Sequence, residues 1–511
     1  MARSLPDLVR AHARSAPERV AITVGSRNCT YGQLWQQILL FADWLQRSGL
    51  RRGDRVAIVL SNCPEAVIAC YGTWMAGGIA VPLNAQARAG ELAPWLRHAD
   101  PAALIHESGN QEIESVVQAT NARLLRAAVG KQTAVLGFDE TTSRRDGLAA
   151  PAFDPDLDAA PAMIIFTSGT TGGPKGVTLS HRNLSHNADS VVRYLELSSA
   201  DSVVSVLPFY YAYGNSVLNT HLAAGGRVVL ELNMVFPHAV VETIARERVS
   251  GFSGVPSTFA LLLARVDLSR YDLSSLRYLT QAGGPMSVTT TQRVLAAFPK
   301  ARLYVMYGQT EATARLTWLP PAMLGRKMGS AGKAIPGVEI QVRSDGRSPV
   351  AAGSTGEVWA RGDNVMLGYW RDEGRTSEVL SDGWLKTGDM GRMDADGYLF
   401  LEGRRTDMIK VGAHRIYPRD VEEAIAELPG ITEVAVVGID DELLGQVVKA
   451  FVVPSVAGEL DAMSIQAHCR ARLAPYKIPK HVEFVQALPK TASGKIMRRA
   501  LMDLAAIREG S

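Results

Sequence analysis

The sequence predicts an α/β protein: a large N-terminal domain of two doubly wound α/β subdomains plus a small β-barrel, followed by a small α+β C-terminal domain. Three observations lead there. Strand-length apolar runs alternate with amphipathic helical segments in two separate stretches. The pattern changes to short strands with close turns over residues 333–402, and the alternation returns after them. With 511 residues, 47% hydrophobic and 21% charged, the chain has an ordinary globular composition and room for several domains.

The first alternating stretch covers residues 31–107. YGQLWQQILLFADWLQRSGL is an amphipathic helix, DRVAIVL a buried strand, PEAVIACYGTWMAGG a helix and IAVPL another strand. Residues 143–161 are turn-rich and predict a surface connection. TSGTTGGPKG follows at 167–176. It is not a Walker A loop: counted from Gly169, that pattern needs glycine before the lysine and Ser or Thr after it, where this chain has Pro174 and Gly176. The flanks MIIF and VTL favour extended chain, so the loop joins two strands, and a helix begins only after Ser180 as N-cap. Gly169, Gly172, Gly173 and Gly176 let the backbone approach an oxyanion, Ser168, Thr170 and Thr171 supply hydroxyls, and Lys175 adds charge. A solvated hairpin turn uses the same residue types, so the loop alone leaves both readings open.

In the second stretch SVVSVLP, GRVVLEL, GFSGVP, LRYLTQAGG and ARLYVMYG are strands, separated by helices such as PHAVVETIARERV and SVTTTQRVLAAF. GVEIQV, GEVWARG and GYLFLEG make the small barrel or meander. DVEEAIAELPGI, TEVAVVGI, QVVKAFVVP, MSIQAHCRARLAP and HVEFVQALP complete the C-terminal unit.

Composition excludes several functions. The net charge is +3, and the basic pairs Arg51-Arg52, Arg404-Arg405 and Arg498-Arg499 are isolated, so no nucleic-acid partner is expected. Cys29, Cys63, Cys70 and Cys469 form no CxxC pair or metal-ligand spacing, which argues against zinc and fits a reducing compartment. The N-terminus lacks an apolar leader, and no apolar run reaches the roughly 18 residues of a membrane span. A cytoplasmic protein is expected.

Four further segments combine special backbone with charged groups. Tyr307-Gly308-Gln309-Thr310-Glu311 ends a predicted strand, where ligands bind in open α/β sheets, and offers an aromatic face, a hydroxyl and a carboxylate suited to Mg²⁺. Thr387-Gly388-Asp389, with Gly397-Tyr398 and Gly403-Arg404, supplies a carboxylate for a ribose diol and a guanidinium for phosphate. RTDMIKVGAHRIYP (405–418) is the third. In the fourth, LPKTASGKIMRR (488–499), Gly494 lets Lys495 project from a turn. Singly, each has a plain structural explanation: a helix-start acid, a turn former, a surface cation.

As a set and in this order, TSGTTGGPKG, YGQTEATAR, TGDMGRMDADGYLFLEGR and PKTASGKIMRR resemble the adenylate-forming superfamily of acyl-CoA synthetases, peptide-synthetase adenylation domains and luciferases. The resemblance runs over residues 31–499. It implies ATP, Mg²⁺ and CoA, or the phosphopantetheine of a carrier protein, as cofactors, and a small-molecule carboxylic acid as substrate. Further, it implies an N-terminal AMP- and acid-binding domain at 1–403 and a mobile catalytic domain at 404–511, with a homodimer left open. Thr167, Ser168, Gly169, Thr170, Thr171, Gly172 and Lys175 would hold the β- and γ-phosphates. Gly283, Gly284, Tyr307, Gly308 and Gln309 would line the nucleotide, with Tyr307 stacked on adenine. Lys495 would reach the carboxylate and the α-phosphate, Thr310 the α-phosphate, Glu311 Mg²⁺, Asp389 the ribose and Arg404 the nucleotide. After rotation of the small domain, Lys410 would serve the second half-reaction. Two positions depart from the family: Thr406 stands at the pivot, usually Asp or Lys, and Ala413 where many relatives have a tunnel glycine.

The acid pocket is expected at residues 207–216 and 281–286, with Tyr210, Tyr211, Tyr213, Asn215 and Gln281 as its lining. Tyr211 falls where many acyl-CoA synthetases have histidine. Ala212 falls where amino-acid-activating domains place an aspartate for the α-ammonium. An uncharged alanine cannot form that ion pair, so an aryl or fatty acid without a free α-amine is expected. The implied activity is an ATP-dependent ligase that forms an acyl-adenylate and then a thioester, with CoA as acceptor. Loading of a carrier protein or an amine, a luciferase-like oxidase and a non-catalytic nucleotide binder are the alternatives.

Overall fold

A computed structural model describes residues 4–120, 125–129, 154, 157–167, 173–231, 236–344, 348–412, 414–456, 458, 460–491 and 494–509. The segment 143–161, expected as a surface connection, lies largely outside these.

Two sheets with mainly parallel strands form the large domain. One has seven strands, in the order Gly368–Tyr369, Lys175–Ser180, Pro161–Thr167, Ile79–Pro82, Arg55–Val59, Ala103–Glu107, Leu125–Val129. The other has nine, and its parallel centre runs Arg302–Tyr307, Tyr278–Gln281, Gly251–Gly254, Ser202–Ser205, Arg227–Leu230, Val20–Val24. The N-terminal strand Val20–Val24 therefore joins the sheet built by the second alternating stretch. Sequence periodicity gave no sign of that, because strand partners are chosen by packing at long range.

Local chemistry sets the element boundaries. The helix Tyr31–Arg47 starts on a capping box between Thr30 and Gln33, and Ser180 with Asn183 does the same for His181–Leu195. Pro64 opens the helix Pro64–Met75, where its missing N–H is harmless. One core cluster ties both sheets to these helices. Trp74, fully buried, donates its indole N–H to the Ala162 carbonyl at 2.8 Å, pinning its helix to the strand that leads into the glycine loop. Tyr31 donates to the Gly226 carbonyl at 2.7 Å from the other side.

The expected barrel or meander is a curled antiparallel sheet of six strands, among them Val338–Ser344, Thr355–Gly362, Trp384–Met393 and Leu399–Arg404. Beyond it the small domain packs helices Pro418–Ala426 and Ala462–Arg470 on a five-stranded sheet. It has its own apolar clusters, around Val436 and Val448 on one side and Phe451 and Leu501 on the other. Separate cores let the two bodies move without either unfolding. Among the described residues no helix is long and apolar enough to cross a membrane.

Candidate active site

The ends of three sheets meet at one cleft. The glycine loop closes an antiparallel hairpin in which Thr167 and Lys175 are direct partners, as the flanking runs predict. Ser168, Gly169, Thr170, Thr171 and Gly172, all expected to hold phosphate, lie outside the described residues. Lys175 stands with its ammonium 5.5 Å from the centroid of the Tyr369 ring. Tyr369 in turn donates its hydroxyl to Glu311 Oε1 at 2.9 Å, so one aromatic residue links the loop lysine to the acid of the YGQTE segment. Burial first, and the Glu311 charge second, push the Tyr369 phenol well above its ordinary range, which keeps it a donor.

The YGQTE segment is held in an uncommon conformation. Thr310–Ala312 forms a 3₁₀ turn after the strand, and Thr313 and Ala314 follow with φ of 52° and 75°, where non-glycine residues are rare. Thr313 donates to the Asn364 carbonyl at 2.6 Å, and the Ala314 N–H returns to Gln309 O at 3.0 Å. A Cβ on Gly308 would stand 2.2 Å from the Ala314 carbonyl, so only glycine lets the chain fold back here. Among the described residues the buried Gln309 amide nitrogen finds no hydrogen-bond partner.

Asp389 and Arg404 are cross-strand partners on the curled sheet, and Arg404 Nε meets Asp389 Oδ1 at 2.7 Å. Tyr307 donates its hydroxyl to Asp389 Oδ2 at 2.6 Å. Desolvation raises the Asp389 carboxyl above its usual range, while Arg404, the Tyr307 hydroxyl and Lys495 all pull it back. Arg404 is raised, chiefly by Asp389. Lys495 comes from the small domain. Its surface stays open to solvent, yet protein crowds the ammonium closely enough that desolvation, then repulsion by Arg404, lowers it, against the attraction of Asp389 and Glu311. Three segments distant in sequence thus place Lys495, Arg404, Asp389 and Glu311 within one another's field.

The structure separates the rest of the predicted set. Lys410 projects elsewhere, into a groove of about 630 Å³ shared with Arg405, Thr406, Met408, Arg415 and Gln446. Thr406 donates to neighbouring Asp407 at 3.2 Å, and Ala413 lies outside the described residues. Tyr211 caps the helix Ala212–Ala224, and its ring lies 4.5 Å from that of Tyr210. Tyr213 donates to the Thr280 carbonyl at 3.0 Å and borders Gly283, whose φ of 85° shapes the QAGG turn. Two further residues expected to line the pocket are buried and hydrogen-bonded within the protein. Asn215 is 4% exposed and accepts from Asn219 at 2.7 Å within its own helix, one turn on. Gln281, 1% exposed, donates its amide to the Gly284 carbonyl at 2.7 Å and braces the turn.

Sequence reasoning missed Tyr369 and Arg315. The Arg315 guanidinium, 2% exposed, lies 4.3 Å from the Tyr213 ring centroid, behind the acid pocket. Its position four residues after Glu311 carries no local signal; the folded-back YGQTE segment is what turns it inward. Among the described residues no group of three His, Cys, Asp or Glu could form a protein-only metal cage.

Comparison with known proteins agrees with this geometry. Residues 9–370 match the model of the AMP-binding enzyme family, and 420–495 that of the AMP-binding enzyme C-terminal domain. A feruloyl-CoA synthase of an Amycolatopsis species is 36% identical over 491 residues, covering 95% of this chain and 96% of that protein. A long-chain-fatty-acid–CoA ligase of Bacillus subtilis is 33% identical, covering 98% and 94%. The crystal structure of the anthranilate CoA ligase AuaEII in complex with anthranoyl-AMP superposes with a TM-score of 0.89 at 27% identity, covering 99% and 98%.

Proposed function

The chain belongs to the AMP-binding enzyme family and is an ATP-dependent acyl-CoA ligase, and on that premise we propose which residues carry each step and which acids it takes. The observation that carries the assignment is the meeting of Lys495, Arg404, Asp389 and Glu311 at one cleft.

A carboxylate resists acylation because its leaving group would be oxide, so it is first joined to AMP. The carboxylate oxygen attacks the α-phosphorus of ATP, the bond to the bridging oxygen breaks, and pyrophosphate leaves with the electron pair. Two anions must meet, so fixed cations are needed where charge gathers. Lys495 lies between them and neutralises both. Arg404, oriented by Asp389, supports the nucleotide, and Asp389 takes the ribose hydroxyls. Thr310 faces the α-phosphate, and Tyr307 with Gly308, Gln309, Gly283 and Gly284 frames the base. The hairpin, with Lys175 and Thr167 at its base, takes the outer phosphates. The donor set fits a hard cation: Glu311, oriented by Tyr369, would hold Mg²⁺, which supplies charge neutralisation of the phosphates.

In the second step the CoA sulfur attacks the acyl carbonyl, AMP departs with the electron pair, and the thiol proton goes to solvent. Lys410 belongs to this step. It lies outside the cleft while Lys495 is in, so the small domain turns between steps, about a pivot just after Arg404. The acid is one without an α-ammonium, aryl or fatty acyl, walled by Tyr210, Tyr211 and Tyr213, since Ala212 offers no counter-charge. CoA is the acceptor rather than a carrier protein, and the cytoplasm is the compartment, in keeping with four free cysteines.

A panel of aryl, fatty and α-amino acids with ATP and Mg²⁺, scored for pyrophosphate exchange and for AMP release with and without CoA, tests this. Aryl or fatty acids driving exchange, with AMP release accelerated by CoA, are expected. Preference for α-amino acids would overturn the acid assignment, and no acid-dependent exchange at all would overturn the mechanism.

A further inference from the structure

Lys495 reaches the cleft from a turn whose anchorage lies on the large domain, on residues that the assignments above leave without a role. The turn closes on itself: the Gly494 N–H donates to the Thr491 carbonyl at 2.8 Å and the Thr491 N–H to the Lys495 carbonyl at 2.8 Å. The Lys495 N–H donates to Thr491 Oγ1 at 3.2 Å. The other side of the Gly494–Lys495 peptide, the Gly494 carbonyl, accepts from Ser257 Oγ at 3.2 Å, across 237 positions of sequence.

Ser257 lies in the first turn of the helix Pro256–Arg265, just after the strand Gly251–Gly254 of the nine-stranded sheet. The two surfaces meet closely. A Cβ on Gly494 would stand 2.8 Å from Ser257 Oγ and 3.0 Å from Val255 Cγ2, and the φ of 79° there is itself unfavourable for other residues. Gly494 is therefore required twice, by the turn and by the docking. Val255 also stands 3.0 Å from where a Cβ of Gly283 would be, and Tyr213 borders the same spot at 3.9 Å. The lysine turn thus lands on the back of the acid pocket wall.

With its N–H bound to Thr491 and its carbonyl to Ser257, the Gly494–Lys495 peptide plane is fixed at both edges, and the direction in which Lys495 leaves the backbone is fixed with it. Arg419 anchors the small domain at another point, donating to the Leu401 carbonyl at 2.6 Å and the Gly329 carbonyl at 3.2 Å, near the hinge. Arg419 holds the domain without aiming the lysine. We infer that Ser257 is a positioning residue for adenylation: its hydroxyl orients the Lys495 peptide in the first half-reaction and releases it before the second. A neutral hydroxyl–carbonyl bond suits that use, being strong enough to bias the closed state and weak enough to break in each turnover.

The inference rests on Lys495 acting in adenylation, so Lys495→Ala is measured alongside. The two half-reactions are assayed separately, with benzoate and octanoate as probes: acid-dependent ATP–pyrophosphate exchange, and thioester formation from supplied benzoyl- or octanoyl-adenylate with CoA. Ser257→Ala is expected to lower the kcat of exchange about 3- to 10-fold, the weight of one neutral hydrogen bond, with KM for ATP and acid unchanged. Thioester formation should hold or rise, and Ser257→Thr should restore exchange. Normal exchange in Ser257→Ala, or an equal fall in both half-reactions, overturns the positioning role. Normal exchange in Lys495→Ala overturns instead the assignment on which it rests.

Discussion

Replacing Lys495 by alanine removes a cation that the small domain delivers to the cleft, and its effect can be sized from what remains. Arg404 stays, but it is committed to Asp389 at 2.7 Å. Lys175 stays as well, on the far side of Tyr369 and Glu311. Neither replaces a charge placed between carboxylate and α-phosphate. Loss of one well-placed charge-stabilising donor costs about 2.7–4 kcal/mol in the transition state, so adenylation should slow about 10²- to 10³-fold. ATP–pyrophosphate exchange reads this directly, and thioester formation from supplied acyl-adenylate should stay within about threefold, because this step draws on Lys410. Lys495→Arg should rescue poorly, since a planar fork does not replace a compact ammonium crowded by a second guanidinium. There is also a pH signature. Desolvation and Arg404 lower the Lys495 ammonium, so its charge, and with it exchange, is complete at low pH and is lost as pH rises through that lowered value, earlier than for an ordinary lysine. Exchange within threefold of wild type, or equal loss of both half-reactions, would refute the role.

Three other changes have distinct readouts. Tyr369→Phe removes the hydroxyl bound to Glu311 and should raise the Mg²⁺ concentration for half-maximal exchange several-fold while leaving saturated rates nearly intact, as a titration of free Mg²⁺ would show. Gly308→Ala puts a Cβ 2.2 Å from the Ala314 carbonyl; calorimetry should show destabilisation of about 2 kcal/mol or more, with exchange abolished. Lys410→Ala, exposed in its own groove, should leave exchange unchanged and slow thioester formation at least about tenfold in a stopped assay with CoA.

Much of the fold was legible because its signals are local. The strand runs flanking the glycine loop, the Ser180 cap and the return of α/β alternation after residue 402 each depend on a few neighbouring residues. What stayed hidden depends on distance. The pairing of Val20–Val24 with Arg227–Leu230 and the inward turn of Arg315 are decided by packing between segments far apart in the chain. The candidate site divides in the same way. Residues with unusual chemistry in unusual backbone, such as Asp389 after Gly388 or Lys495 after Gly494, announce themselves, whereas Tyr369 and Ser257 are ordinary residues that matter only for what they touch. Asn215 and Gln281 show how little polarity alone says about a role. A polar residue in a predicted pocket segment looks like a ligand, but each is buried and spends a hydrogen bond inside the protein.

The division of charge between the two bodies follows from the chemistry. Asp389 and Arg404 sit opposite each other on one sheet, so their spacing is fixed by strand register and does not change during turnover. Glu311 is equally fixed by a backbone held through Asn364 and Gly308. In the proposed mechanism these groups face the nucleotide, which is present in both half-reactions, and Lys495 faces the attacking carboxylate, which exists only in the first. Once the adenylate has formed, a cation lodged there would both hold the mixed anhydride and block the thiol, so it has to be carried on a part that leaves. A lysine on a separately cored domain, held by one neutral hydrogen bond at its turn, meets that requirement; the same lysine on the curled sheet would not. A permanent tether, for instance a disulfide between cysteines placed across the domain contact at positions that spare Ser257 and Gly494, should therefore preserve a single round of adenylation and stop thioester formation until a reductant is added. Multiple turnovers in the oxidised form would show that the domain need not move.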